Sequence, residues 1–153
     1  MKLKIFLIVF LLLILFLIIY LIIFFNKNGN NIKSVKINNI EINVETASSY
    51  YLQLKGLSGK KSLEDNQGMI FIYPDYQIRN FWMKDMNFPI DVLWIKDDTI
   101  TGLQKNIQIF DKNGKVSKFI SPNPTNYVLE LSAGFINKNN IKVGDKIKLI
   151  YEK

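Results

Sequence analysis

IDVLWIKDDTITGL, residues Ile90 to Leu103, contains two apolar runs separated by Asp97-Asp98. Ile90 to Ile95 and Thr99 to Leu103 are each too short for an ordinary helix and are rich in β-branched and aromatic side chains, while the acidic pair between them is a turn signal. The stretch therefore predicts two antiparallel strands. Moving outward, the same grammar recurs at Met69 to Tyr73, Phe81 to Met83, Phe119 to Ile120, Tyr127 to Leu131 and Lys146 to Tyr151. Turn residues punctuate these runs at Pro74-Asp75, Pro89, Asn113-Gly114, Pro122-Asn123-Pro124 and Val143-Gly144-Asp145. Ile32 to Ile37 and Ile40 to Val44 alternate apolar with polar residues across Asn38-Asn39, a pair suited to a tight hairpin because Asn tolerates positive φ. One helix is expected, from Ser48 to Leu57, with Thr46 or Ser48 as its N-cap and Gly56 and Gly59 ending it. Residues 32–153 thus read as one all-β domain with a single short helix, a sandwich or barrel built of antiparallel strands; βαβ units would need a helix between successive strands.

Before that domain stands a run of different physics. Ile5 to Phe25 (IFLIVFLLLILFLIIYLIIFF) is twenty-one residues with no charge and no polar group beyond the Tyr20 hydroxyl. As a helix it spans about 31 Å, close to the roughly 30 Å hydrocarbon core of a bilayer. Insertion of such side chains favours the membrane by roughly 6–12 kcal/mol. Residues 1–25 are accordingly expected to be a single transmembrane signal anchor, so that the lipid bilayer is a partner. A cleaved signal peptide has a shorter apolar region and ends in small residues. Here Phe25 is followed by NKNGNN (Asn26 to Asn31), read as a flexible tether, and no cysteine is available for a lipid. Lysines flank the run on both sides, but the four-residue amino-terminal tail with Lys2 and Lys4 favours an inside amino end, which puts the domain on the extracytoplasmic side.

Composition removes whole classes of function. The chain has no histidine and no cysteine, so it lacks the usual zinc ligands, thiol nucleophiles and neutral-pH bases. No cofactor and no metal are expected. The formal charge is +7, yet nineteen of the twenty basic residues are lysine, they are scattered, and Arg79 is the only arginine. Recognition of phosphates and base edges favours the guanidinium fork, so nucleic acid is not an expected partner. Asp111-Lys112-Asn113-Gly114 begins like a calcium loop but lacks the later acidic positions, and reads as an Asn-Gly turn.

The densest cluster of chemistry-bearing residues is Arg79 to Trp94 (RNFWMKDMNFPIDVLW), which holds both tryptophans. Alternation puts Phe81 and Met83 on one face and Trp82 and Lys84 on the other, where Trp82 and Lys84 can form a cation–π or ligand-stacking pair. Large aromatics in a β domain are more often core than site. Arg79, Trp82, Lys84, Asp85, Asp91 and Glu130 are the candidate binding residues. Glu130 lies in the apolar strand YVLEL, either facing solvent or buried against Arg79 or a lysine. Asp85, Asp91 and Glu130 could also supply the paired carboxylates of a glycan-directed hydrolase, although Asp85 and Asp91 are equally well explained as turn residues.

GLSGKKSLEDNQGMIFIYPD (Gly56 to Asp75), FWMKDMNFPIDVLWI (Phe81 to Ile95), YVLELSAG (Tyr127 to Gly134) and IKVGDKI (Ile141 to Ile147) together resemble the domain-of-unknown-function family numbered 192. The resemblance implies a compact, jelly-roll-like domain, commonly exported behind an apolar amino-terminal segment, and implies no established activity. The chain departs from the commonest form at Leu57-Ser58, where many members read Leu-Met, and Asn106 to Ser121 carries no clear family motif. The expected function is a membrane-anchored module holding a small ligand, glycan or peptide. The alternatives are the carboxylate hydrolase and a structural, partner-binding protein of the cell envelope.

Overall fold

A computed structural model of the protein describes residues 2–27 and 31–152; within its first helix, side chains are described at Lys4 and from Leu7 to Leu21. The chain forms two compact units, Met1–Asn31 and Ile32–Lys153. The first contains the helix α1 (Lys2–Lys27), whose described apolar side chains are all exposed. Among the described residues no helix is long and apolar enough to cross a membrane. The Ile5 to Phe25 run on which the anchor expectation depends extends beyond the described side chains at both ends, and residues 28–30 of the expected tether lie outside the described residues.

The second unit is the β domain. Its elements are β1 (Ile32–Ile37), β2 (Ile40–Ala47), α2 (Tyr50–Lys55), β3 (Gln67–Gln77), β4 (Asn80–Trp82), β5 (Ile90–Lys96), β6 (Thr99–Ile107), β7 (Lys118–Ile120), β8 (Thr125–Ser132), α3 (Phe135–Lys138) and β9 (Ile147–Tyr151). Seven strands form one sheet in the order β6-β5-β8-β3-β2-β1-β9, and β4 pairs with β7 as a separate two-stranded sheet. The hairpins expected at Asn38-Asn39 and Asp97-Asp98 both form, with Asn38 at φ 53 and Asp97 at φ 57, the left-handed region that short polar side chains tolerate.

Four local expectations need correction. β2 and β3 are parallel, because α2 carries the chain back across the sheet between them; the sheet is mixed, not antiparallel throughout. The helix covers Tyr50–Lys55, shorter than expected, and its N-cap is Ser49, whose Oγ accepts from Leu52 N at 3.3 Å. Thr46 instead ties β2 to the start of β1 by bonds to Ile32 N and O at 3.2 and 3.1 Å. Pro74-Asp75 lies inside β3 rather than in a turn, and the pairing with β8 shifts between Ile72 and Gln77, where proline has no N–H to offer. α3, the short helix after β8, had no counterpart in the expected elements.

Both faces of the central strands are covered. One face packs Ile37, Ile42, Ile70, Leu93, Leu129 and Ile147 into a core drawn from all seven strands. This requires the sheet to curl, and its edges meet at one end: Ile100 N donates to Asp145 O at 3.0 Å and Ile147 N to Asp98 O at 2.7 Å. The opposite face packs Phe71, Trp94 and Val128 beneath Met83, Met86 and the β4–β7 layer. Phe81 and Phe119 point inward from that layer, with Phe81 edge-on to Phe71 at 5.0 Å and to Trp94 at 5.6 Å. The result is a mostly β, compact open-sheet sandwich. Burial on both sides explains why β5, IDVLWIK, is an almost continuous apolar run instead of an alternating one.

Candidate functional site

Glu130 occupies the middle of β8, paired with Met69 on β3 and Val92 on β5. Paired residues share a face, so its carboxyl points with Val128 toward the Phe71 and Trp94 side. The residue is 4 % exposed, and no hydrogen bond or ion pair to its carboxyl forms among the described residues. Burial pushes its pKa from 4.5 up to about 8, so at neutral pH it is largely a neutral acid.

Above Glu130 lies a cleft of about 270 Å³. α2 and the loop after it form one wall through Gln53 and Ser58, β3 contributes Tyr73, and β4 contributes Phe81 and Trp82. Gly56 closes the helix at φ 50, where any other residue would be strained; an added Cβ would also come to 3.3 Å from the Phe71 ring. The next turn is then pinned to the β4–β5 loop. Ser58 Oγ donates to Lys84 O at 2.8 Å and Gly59 N donates to Asp85 O at 2.8 Å.

Of the residues singled out by sequence, Trp82 and Glu130 meet in this cleft. Arg79 stands one residue away from it: its guanidinium lies 3.8 Å over the Tyr73 ring, and its Nη2 donates to Asp75 Oδ1 at 2.5 Å. That bond holds the Asp75 carboxyl below the usual range and commits Arg79 to Asp75 rather than to Glu130. The Tyr73 phenol is pushed up to about 12, mainly by burial, with Arg79 lowering it and Glu130 raising it. Lys84 and Asp85 have exposed side chains and serve the cleft through their carbonyls. Among the described residues the cation–π contacts that form are Arg79 over Tyr73 and Lys96 over Tyr76, in place of the expected Lys84 over Trp82.

Asp91 lies apart from the cleft. It pairs with Leu131, so it projects from the face opposite Glu130. Oδ1 accepts from Asn106 N at 2.7 Å and Oδ2 from Ile136 N at 2.8 Å, which ties the end of β6 and the first turn of α3 to the sheet. Asp91 and Glu130 therefore cannot flank one glycosidic bond, and Asp85 faces solvent; the hydrolase pair expected as an alternative is not assembled. Among the described residues no group of acidic residues could hold a metal ion. Asp111 instead caps its own turn, accepting from Asn113 N and Lys115 N at 2.8 and 2.9 Å.

Gln53, Ser58, Tyr73 and Asn80 line the cleft without having been marked by sequence. Ser58 carried a signal, since it stands where the chain departs from the usual Leu-Met of the family it resembles. Gln53 and Asn80 carried none.

No curated protein matches the chain. Two solved structures share its fold. A Sinorhizobium meliloti protein proposed to be a transcription regulator is 25 % identical with a TM-score of 0.68, over 76 % of this chain and 90 % of that one. A protein of unknown function from Novosphingobium aromaticivorans is 26 % identical with a TM-score of 0.69, over 79 % of this chain and 87 % of that one. The family model described as Uncharacterized ACR, DUF192, matches residues 32–149, the whole β domain but its last strand end, and the chain belongs to that family.

Proposed function

We propose that this protein is a membrane-tethered binding module, whose β domain takes a small molecule into the cleft over Glu130. The observation that carries the reading is the carboxyl itself. Burying an ionisable group without a partner costs several kcal/mol, and a fold gains nothing from that cost unless something else uses the group. The surroundings suit a ligand: aromatic walls from Phe81 and Trp82, a few convergent polar groups, and one open side. The single-pass anchor through Ile5 to Phe25, with the domain extracytoplasmic, is the second half of the proposal and rests on hydropathy.

Thermal shift of the 32–153 domain against glycan, nucleotide, amine and peptide libraries tests binding. A ligand that raises the melting temperature of the wild type and not of Glu130→Gln supports it; libraries that leave the melting temperature unmoved refute it. For the anchor, the full chain should stay with membranes through alkaline carbonate washing, and removal of residues 1–31 should release it.

A further inference from the structure

Three side chains of the cleft, Gln53, Ser58 and Glu130, can offer acceptor oxygens, alongside the donor groups of Tyr73, Asn80 and Trp82. Gln53 Nε2 donates to Ile72 O at 2.7 Å, which only an amide nitrogen can do, and leaves Oε1 without a partner among the described residues. Ser58 commits its single proton to Lys84 O at 2.8 Å, so lone pairs remain on its oxygen. Once ionised, Glu130 adds two acceptor oxygens; Met69, Val92 and Ile90 beside it cannot donate, and the Tyr73 phenol is the titratable donor that faces it. Aromatic rings of Phe81 and Trp82 stand beside them, and ring faces attract cations.

The Tyr73 phenol faces Glu130 from β3 and is neutral, since burial pushes its pKa up to about 12, so the charges near the site come from two places. Lys55 on α2 is the only cation among the described residues lining the cleft, and its side chain is exposed at the rim. Arg79, following β3, is neutralised by Asp75. β5 presents Ile90 and Val92, which are neutral. Among the described residues no cation therefore pairs with an ionised Glu130.

Resting on the binding-module reading, we infer that the ligand carries a protonated amine on a compact apolar body, with the ammonium meeting the Glu130 carboxylate and the body lying against Phe81 and Trp82. Gln53 Oε1 and Ser58 Oγ remain for further donor groups of the ligand. The rim position of Lys55 disfavours a polyamine and favours a single cationic charge. Since free Glu130 is largely protonated at pH 7 and the ammonium binds its ionised form, association expels one proton from the carboxyl to the buffer.

The test uses the full chain in detergent and three probes of matched shape: 2-phenylethylamine, 2-phenylethanol and 3-phenylpropionate. Trp82 fluorescence reads binding, and calorimetry in buffers of different ionisation enthalpy counts protons. The amine should bind at least about tenfold tighter than the alcohol, release close to one proton at pH 7, and gain about tenfold in affinity per unit between pH 5 and pH 7, levelling off above pH 8. Glu130→Gln should abolish the proton release and the pH dependence while the protein stays folded. The wild-type pH profile stands without that variant, should the variant misfold. Equal or tighter binding of the alcohol or the acid overturns the ammonium assignment and leaves the binding module standing. Failure of all three probes to saturate overturns the ammonium assignment together with the site.

Discussion

Glu130 and Asp91 stand on neighbouring strands of one sheet and point to opposite faces of it: Asp91 pairs with Leu131, and Glu130 pairs with Val92. Both are almost completely buried, yet their situations differ. Asp91 has each oxygen filled by a backbone amide, whereas Glu130 has no partner among the described residues and borders a cleft. One acid is structural mortar, and the other faces the cleft with its carboxyl uncommitted.

Stability should fall as pH rises through the neutral range, and Glu130→Gln should flatten the curve. The folded-state pKa of about 8 lies above the ordinary 4.5, so between those values the folded chain holds more protons than the unfolded chain. Below that window the carboxyl is neutral in both states; within it, stability is lost at up to about 1.4 kcal/mol per pH unit. Urea denaturation at pH 5, 6, 7 and 8 measures this. A wild type and variant with parallel profiles would refute it.

At the acid end the sign reverses. Asp75 and Asp98 are held below the usual range by Arg79 and Lys146, so their contribution is present above the ordinary carboxylate pKa and is lost as pH falls through their lowered values. Arg79→Met should therefore reduce the loss of stability between pH 4 and pH 2, measured by thermal unfolding.

Asp91→Ala leaves the buried amide of Ile136 and the partly buried amide of Asn106 without acceptors. A loss of about 2–4 kcal/mol is expected, read as a drop in the denaturant midpoint. Hydrogen exchange should quicken at Ile136 and Asn106 before it does at β3 or β8.

Gly102→Ala should destabilise the domain by about 1–3 kcal/mol through overpacking. A Cβ there would approach Pro122 Cγ to 2.5 Å, and a proline ring cannot swing aside. Pairing the change with Pro122→Ala should recover part of the loss.

The two tryptophans should separate in fluorescence. Trp82 is 46 % exposed and Trp94 is fully buried, so Trp82→Phe should leave a blue-shifted emission resistant to acrylamide. Its effect on stability should stay within about 0.5 kcal/mol, as for a surface change.

Strand positions and hairpin turns were legible because they depend on near neighbours. Alternation in Ile40 to Val44, the Asn38 and Asp97 turns and the Asn113-Gly114 turn need only a few residues to specify them, whereas Ile32 to Ile37 does not alternate cleanly, since its pairing shifts between Ile32 and Ser34 and Ser34 is buried. Side-chain alternation likewise gave the inward Phe81 and outward Trp82 of β4. The Glu130 ambiguity was also visible, since a lone acid in YVLEL must be either solvent-facing or buried. What no local pattern contains is which strands become neighbours. Only the register of β8 between β3 and β5 put Glu130 under Trp82 and sent Asp91 to the far side, and only the return of the chain through α2 made β2 and β3 parallel and brought Gln53 and Ser58 over the carboxyl.

By itself the sequence determined a β domain with most of its turns, an apolar amino-terminal helix, and the exclusion of thiol and histidine chemistry, because each follows from residue type and short-range spacing. Tertiary structure decided the curl of the sheet, the cleft and the isolation of Glu130, because each depends on contacts between segments dozens of residues apart, where burial and pairing are set by the whole fold.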